Sequence, residues 1–63
     1  MKYAIMLTKD NTEKIVKEFD TLEEAMAYGE SFFATLNPGE GVVSCEGHMP
    51  GGAQRKFFHC WHH

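Results

Sequence analysis

The sequence predicts an α+β fold of two layers, in which one helix packs on one face of an antiparallel sheet made of two hairpins, in the order β-β-α-β-β. Three observations predict it. Residues 21–36, TLEEAMAYGESFFATL, form the only segment with a helical period and signals at both ends. Before it, KYAIMLT and EKIVKEF read as two strands split by the turn residues Asp10, Asn11 and Thr12. After it, VVSCEGH (42–48) and RKFFHCWHH (55–63) read as two more strands separated by MPGGAQ.

The first run, KYAIMLT, places Tyr3, Ile5 and Leu7 on one strand face and Ala4 and Met6 on the other. The second, EKIVKEF, ends at Phe19. A three-residue loop, Asp10 to Thr12, sets Leu7 opposite Ile15, Tyr3 opposite Phe19 and Lys9 opposite Glu13, collecting apolar side chains on one face. A two-residue loop, Asp10 and Asn11, sets Tyr3 opposite Glu18 and Leu7 opposite Lys14, which mixes charge into the face meant for the helix. The three-residue loop is therefore the expectation.

In the helix, the Thr21 hydroxyl accepts from the N–H of Glu24 and the Glu24 carboxylate reaches back to the N–H of Thr21, a capping box. Leu22, Ala25, Met26, Gly29, Phe33 and Leu36 form the apolar stripe, with Phe32 on its margin. Glu23, Glu24, Ala27, Glu30, Ser31 and Ala34 lie opposite. Acidic residues in the first turn suit the positive end of the helix dipole. Asn37 is expected in a left-handed C′ conformation, and Pro38 cannot continue the helix, so the helix ends near Leu36. Gly29 in mid-stripe costs about 1 kcal/mol relative to Ala, which close packing against the sheet explains. A helix covering one side leaves Met6, Val16 and some aromatics of the fourth strand on the uncovered side, an expected interface.

With 63 residues the chain has room for one domain, 1–63. A domain of that size buries only about 60% of the surface its unfolded chain exposes. Such chains often lean on a metal, a disulfide or a second subunit. A hydrophobic fraction of 43% and 13% aromatics are too high for a disordered chain. The formal charge of −3 works against non-specific nucleic-acid binding, which depends on cations meeting phosphates. The apolar run Tyr3 to Leu7 is too short for a signal-peptide core, and no stretch is long enough to span a bilayer. A cytoplasmic location follows, where two cysteines stay reduced.

The opening MKYAIMLTKDNTEKIVKEFDTLEEAMAYGE, a hairpin running into an F-D-T-L-E-E-A helix start, resembles small uncharacterised proteins encoded on conjugative transposons of gut Firmicutes. The resemblance covers about half the chain and implies a cytoplasmic bacterial origin. It implies no catalytic residue.

Cys45, His48, His59, Cys60, His62 and His63 are arranged as C-x2-H followed by H-C-W-H-H, and thiolate with imidazole is the ligand set of tetrahedral zinc. Alternation along strands works against the site. If His48 pairs with Arg55, then Cys45, Cys60 and His62 share a face, with His48 and His59 on the other. A slip of one residue joins Cys45 with His59 and His63, leaving His48, Cys60 and His62 opposite. Either way a regular hairpin gathers no more than three ligands. The bland alternative makes Cys45 and Cys60 small buried hydrophobes, with His62 and His63 a frayed end or the remnant of a purification tag. A Cys45–Cys60 disulfide fits the first register, but not a reducing compartment.

Arg55 and Lys56 beside Phe57, Phe58, His59 and Trp61 have the composition of a platform for stacking single-stranded nucleic acid. Tyr28 and Phe32, one helical turn apart, make with Trp61 an apolar patch wanting cover. No nucleophile, base and orienting group can be brought together from strand neighbours, and no phosphate-cradling glycine loop precedes a helix. The expectation is a non-enzymatic protein-interaction domain, with a protein partner or a second copy meeting Tyr28, Phe32, Met6, Val16 and Trp61. The alternatives are a zinc-binding module on Cys45, Cys60, His62, His59 and His48, and a nucleic-acid accessory domain of a mobile element on Arg55, Lys56 and Trp61. No membrane partner and no cofactor other than zinc is suggested.

Overall fold

The computed structural model describes residues 1–52 and 54–62. Four antiparallel strands form one sheet, β1 (Lys2–Lys9), β2 (Thr12–Phe19), β3 (Val42–His48) and β4 (Arg55–Trp61), in the order β2-β1-β3-β4. Helix α1 (Leu22–Ala34) packs on it, giving the α+β arrangement and the element order expected. The two hairpins meet through β1 and β3. Ile5, Ala25, Val43 and Cys45 are fully buried between the layers. Tyr3, Leu7, Leu22, Met26, Phe33 and Leu36 pack around them. These are the odd-numbered residues of β1 and β3 and the predicted stripe of the helix.

Thr21 caps the helix through its hydroxyl, which accepts from Glu24 N–H at 3.2 Å. The Glu24 carboxylate reaches back to the Thr21 hydroxyl (2.9 Å) rather than to the Thr21 N–H. The C-terminus differs from the expectation. The helix ends at Ala34, and Thr35 at the C-cap stays right-handed, its N–H and hydroxyl both donating to Phe32 O. Asn37 is not left-handed. Instead Asn37 O accepts from Glu40 N–H at 3.1 Å, with Pro38 and Gly39 (φ +89°) at the turn's centre. A type II turn wants proline then a positive-φ residue, and Pro38-Gly39 supplies both.

The first hairpin also departs from the expected loop. Asp10 (φ 53°) and Asn11 (φ 63°) are both left-handed and form a two-residue turn, with Lys9 opposite Thr12. Paired left-handed residues match the twist of flanking strands, and Asx side chains tolerate that conformation. Leu7 therefore faces Lys14, and Met6 faces Ile15. The expected pair Tyr3–Phe19 nevertheless forms, because β2 carries a bulge opposite Ile5 and Met6 that inserts Val16. The second hairpin does the same. His48 pairs with Arg55 as in one register, Cys45 pairs with His59 as in the other, and a bulge at Phe58 joins them.

Both inserted residues turn toward the helix. Val16 and Phe58 pack against the core, Phe58 with its ring 5.6 Å from that of Tyr3. This corrects the placement of Val16 on the uncovered side. Trp61 likewise reaches under the helix, where a Cβ at Gly29 would lie 2.6 Å from its Cζ3 and 3.0 Å from Ile5 Cδ1. Gly29 is glycine because the indole occupies that space.

Candidate interaction surface

The side of the sheet away from the helix follows from the register, because directly paired residues share a face. Its rows are Glu13, Thr8 and Val42; Ile15, Met6, Ser44 and Cys60; Glu18, Ala4, Glu46 and Phe57; and Lys2, His48 and Arg55. The middle is closed. Ala4 is 0%, Met6 5% and Glu46 7% exposed although no helix covers them. Met6 is thus unavailable as a contact residue, contrary to expectation.

The reason is curvature. Glu13 and Arg55 stand at diagonally opposite corners, yet Arg55 Nη1 approaches Glu13 Oε2 to 3.8 Å. Arg55 Nε also lies 3.4 Å from Glu46 Oε2. Twist and two bulges bring that diagonal forward over the sheet, while Phe19 and Trp61 on the other diagonal wrap back against the core. The face is saddle-shaped. At its centre Glu46 Oε1 and His48 Nε2 are buried without a hydrogen-bond partner, 3.9 Å apart.

The apolar side chains left exposed on this side are Phe57 (61%), Ile15 (49%) and Val42 (37%). Phe57 fits the expectation that some fourth-strand aromatics lie on the uncovered side, whereas Ile15 and Val42 are not among the residues the sequence points to. Ile15 was placed on the helix side by the three-residue loop, and the Asp10-Asn11 dipeptide is the signal that would have moved it. Phe57 was one aromatic in a run of three whose phase depends on the bulge.

The other predicted interaction residues belong to the core margin. Tyr28 and Phe32 stack with ring centres 6.1 Å apart, Tyr28 packs on Phe19 at 5.2 Å, and Lys17 Nζ sits 5.5 Å from both the Phe19 and Tyr28 rings. Both are half-buried.

The cysteine and histidine side chains do not converge. Cys45 is fully buried on the helix side, opposite His59, whereas Cys60 faces away, opposite Ser44. The two thiols are unbridged and point to opposite faces, so the Cys45–Cys60 disulfide is excluded. Burial, and then the nearby Glu46 charge, push the Cys45 thiol above its ordinary value. His59 stacks edge-on against Trp61 at 4.7 Å, His48 lies by Glu46, and His62 is exposed. His63 lies outside the described residues. Among those described, no three His, Cys, Asp or Glu side chains gather to hold a metal ion.

Of the expected nucleic-acid contacts, Arg55 is engaged with Glu46 and Glu13, Lys56 lies 5.5 Å from the Phe58 ring, and Trp61 is under the helix. At the far end of the saddle Lys2 and Asp20 form an exposed ion pair. Their hydrogen bond and charge hold Lys2 above and Asp20 below their ordinary values. No helix among the described residues is long and apolar enough to cross a membrane. No protein-family model matches this chain, and neither a curated protein nor a solved structure matches it.

Proposed function

We propose that this chain is a non-enzymatic protein-association domain of the cytoplasm, and that its contact surface is the sheet face opposite the helix. The observation that carries the reading is Phe57, a large aromatic 61% exposed on the one side of the sheet that has no second layer. Ile15, on the opposite edge strand, and Val42, two rows away on β3, are exposed on the same side. Three large apolar side chains exposed on one uncovered sheet face, with Glu13, Glu18 and Arg55 around them, favour a contact surface there. An aromatic anchor with a polar rim is also the composition of interface centres.

The test places a photo-cross-linking amino acid at position 57, and separately at Glu30 on the outer side of the helix, in the native cytoplasm. Protein adducts at 57 but not at 30 are expected. Absence of adducts at 57, or equal labelling at 30, refutes the reading.

A further inference from the structure

Resting on that reading, we infer that the partner is a second copy of this chain, docked face to face about a two-fold axis parallel to the strands. Three features of the molecule favour this occupant, and one of them, the charge pattern, selects the axis.

The first is the state of the edges. Both edge strands, β2 and β4, carry a bulge. Bulged edges twist away from a neighbour and blunt strand addition. Association through the sheet must therefore use its face.

The second is charge. On this face the β2 edge carries Glu13 and Glu18, with Asp20 following, while the β4 edge carries Arg55, Phe57 and Cys60. An axis parallel to the strands lays β2 of one copy over β4 of the other and keeps each row facing itself reversed. Asp20 then lies over the partner copy's arginine 55, Glu18 over its phenylalanine 57, and Ile15 over its cysteine 60. An axis perpendicular to the strands sets Glu13 over Asp20 of the other copy, acid against acid. Like charges across an interface are strongly disfavoured, so the first axis wins.

The third is shape and size. The saddle raises the Glu13 and Arg55 corners and lowers the other two, so either in-plane two-fold axis seats each raised corner on a lowered one; the face fits itself, and charge decides the axis. The molecule extends 34 × 24 Å in its two longer dimensions, about 800 Å² in projection. A stable interface needs about that area from each partner, so the whole face must engage. The Arg55–Glu13 pair is no obstacle. Its side chains are 55% and 49% exposed and 3.8 Å apart. Exposed pairs of that kind contribute little and exchange readily for an intermolecular partner.

Sedimentation equilibrium of the full chain up to millimolar concentration tests the inference, with Asp20→Arg, Phe57→Ser and, as control, Glu30→Arg. Circular dichroism confirms that each variant folds. A reversible dimer is expected, weakened about tenfold or more by Asp20→Arg, which sets cation against cation, or by Phe57→Ser, and unchanged by Glu30→Arg. The position-57 cross-linker in a mixed ¹⁴N/¹⁵N sample should form intermolecular adducts within residues 12–20. A wild type monomeric at millimolar concentration overturns the inference, as does a dimer insensitive to Asp20→Arg with adducts on β4 or the helix. If the cellular cross-link at 57 captures only other proteins while the purified chain stays monomeric, the self-association fails and the proposed function stands. If the dimer forms but position 57 never cross-links, both fail.

Discussion

Replacing Gly29 by alanine sets two terms of opposite sign against each other. In an ordinary helix interior the change stabilises by about 1 kcal/mol, because alanine gives up less conformational freedom. Here the added Cβ would sit 2.6 Å from Trp61 Cζ3 and 3.0 Å from Ile5 Cδ1. Ile5 is fully buried between the sheet and the helix and cannot retreat, so the indole must move. Overpacking of this kind costs about 1–3 kcal/mol. The steric term wins, and Gly29→Ala should be net destabilising by about 1 kcal/mol, a Tm fall of about 4–8 °C in a domain of this size. Thermal unfolding by circular dichroism reads this, with Ala27→Gly on the exposed side calibrating the helix term. Trp61 is the sole tryptophan, so its emission should shift to the red as it is displaced. In a Trp61→Val background, itself destabilised by the lost indole, Gly29→Ala should cost little or nothing, since contacting residues couple. A rise in Tm with unchanged emission would refute the packing argument.

The first turn should respond to residue type at Asn11 (φ 63°): glycine stabilises by up to about 1 kcal/mol, and valine destabilises by about 1–2 kcal/mol, by urea midpoint. Equal midpoints for the two would contradict a left-handed turn. Alkylation mapped by mass should modify Cys60 in the folded protein and Cys45 only on unfolding, since Cys45 is fully buried and its thiol is pushed up. The folded state then holds that proton more tightly than the unfolded state. Its contribution is present below the unfolded thiol value of about 8.5 and lost as pH rises through the higher folded value. The stability gap between wild type and Cys45→Ala should narrow as pH rises, and a widening gap would reverse the sign. Arg55→Ala should destabilise by about 1 kcal/mol, discounted for the exposure of Arg55, by leaving the buried Glu46 without its cation. Glu46→Met should be neutral or stabilising, because an apolar side chain there needs no partner. A large loss in the methionine variant would mean that the carboxylate is itself required.

The helix and the four strands were legible because each rests on local signals: the Thr21 cap, the stripe from Leu22 to Phe33, and the alternation of Tyr3, Ile5 and Leu7. The register was only half legible. For each hairpin the sequence allows two registers one residue apart, and the structure uses both, changing from one to the other at Val16 and at Phe58. Neither bulge position carries a glycine or an Asx residue to announce it. Val and Phe are ordinary strand formers, and their conformation is set by the helix layer they pack against, a tertiary fact. The scattering of the Cys and His side chains follows from the same shift. Cys45 pairs with His59 only because Phe58 is extra, and Cys60 is thereby turned to the other face.

The two bulges also connect the core to the proposed surface. They stand at the same level of the sheet, one opposite Ile5 and Met6, the other opposite Cys45 and Glu46. Each spends one residue of an edge strand on the helix side, adding Val16 and Phe58 to a layer in which few side chains are fully buried. In a regular β4, one of Phe57 and Phe58 must face each side, and the helix side would gain no further residue. The bulge directs both Phe58 and the Cys45-paired His59 toward the helix, and Phe57 stays on the other face with Glu46. In β2 the inserted Val16 turns in, and Ile15 stays out beside Met6. The same insertions curl the sheet until Arg55 meets Glu13, closing Ala4, Met6 and Glu46 from solvent. The thin core and the exposed Phe57 and Ile15 are therefore one design problem. A chain this short gains inner-layer residues by bulging its edges, which blunts those edges and leaves the outer face as the surface through which association can proceed.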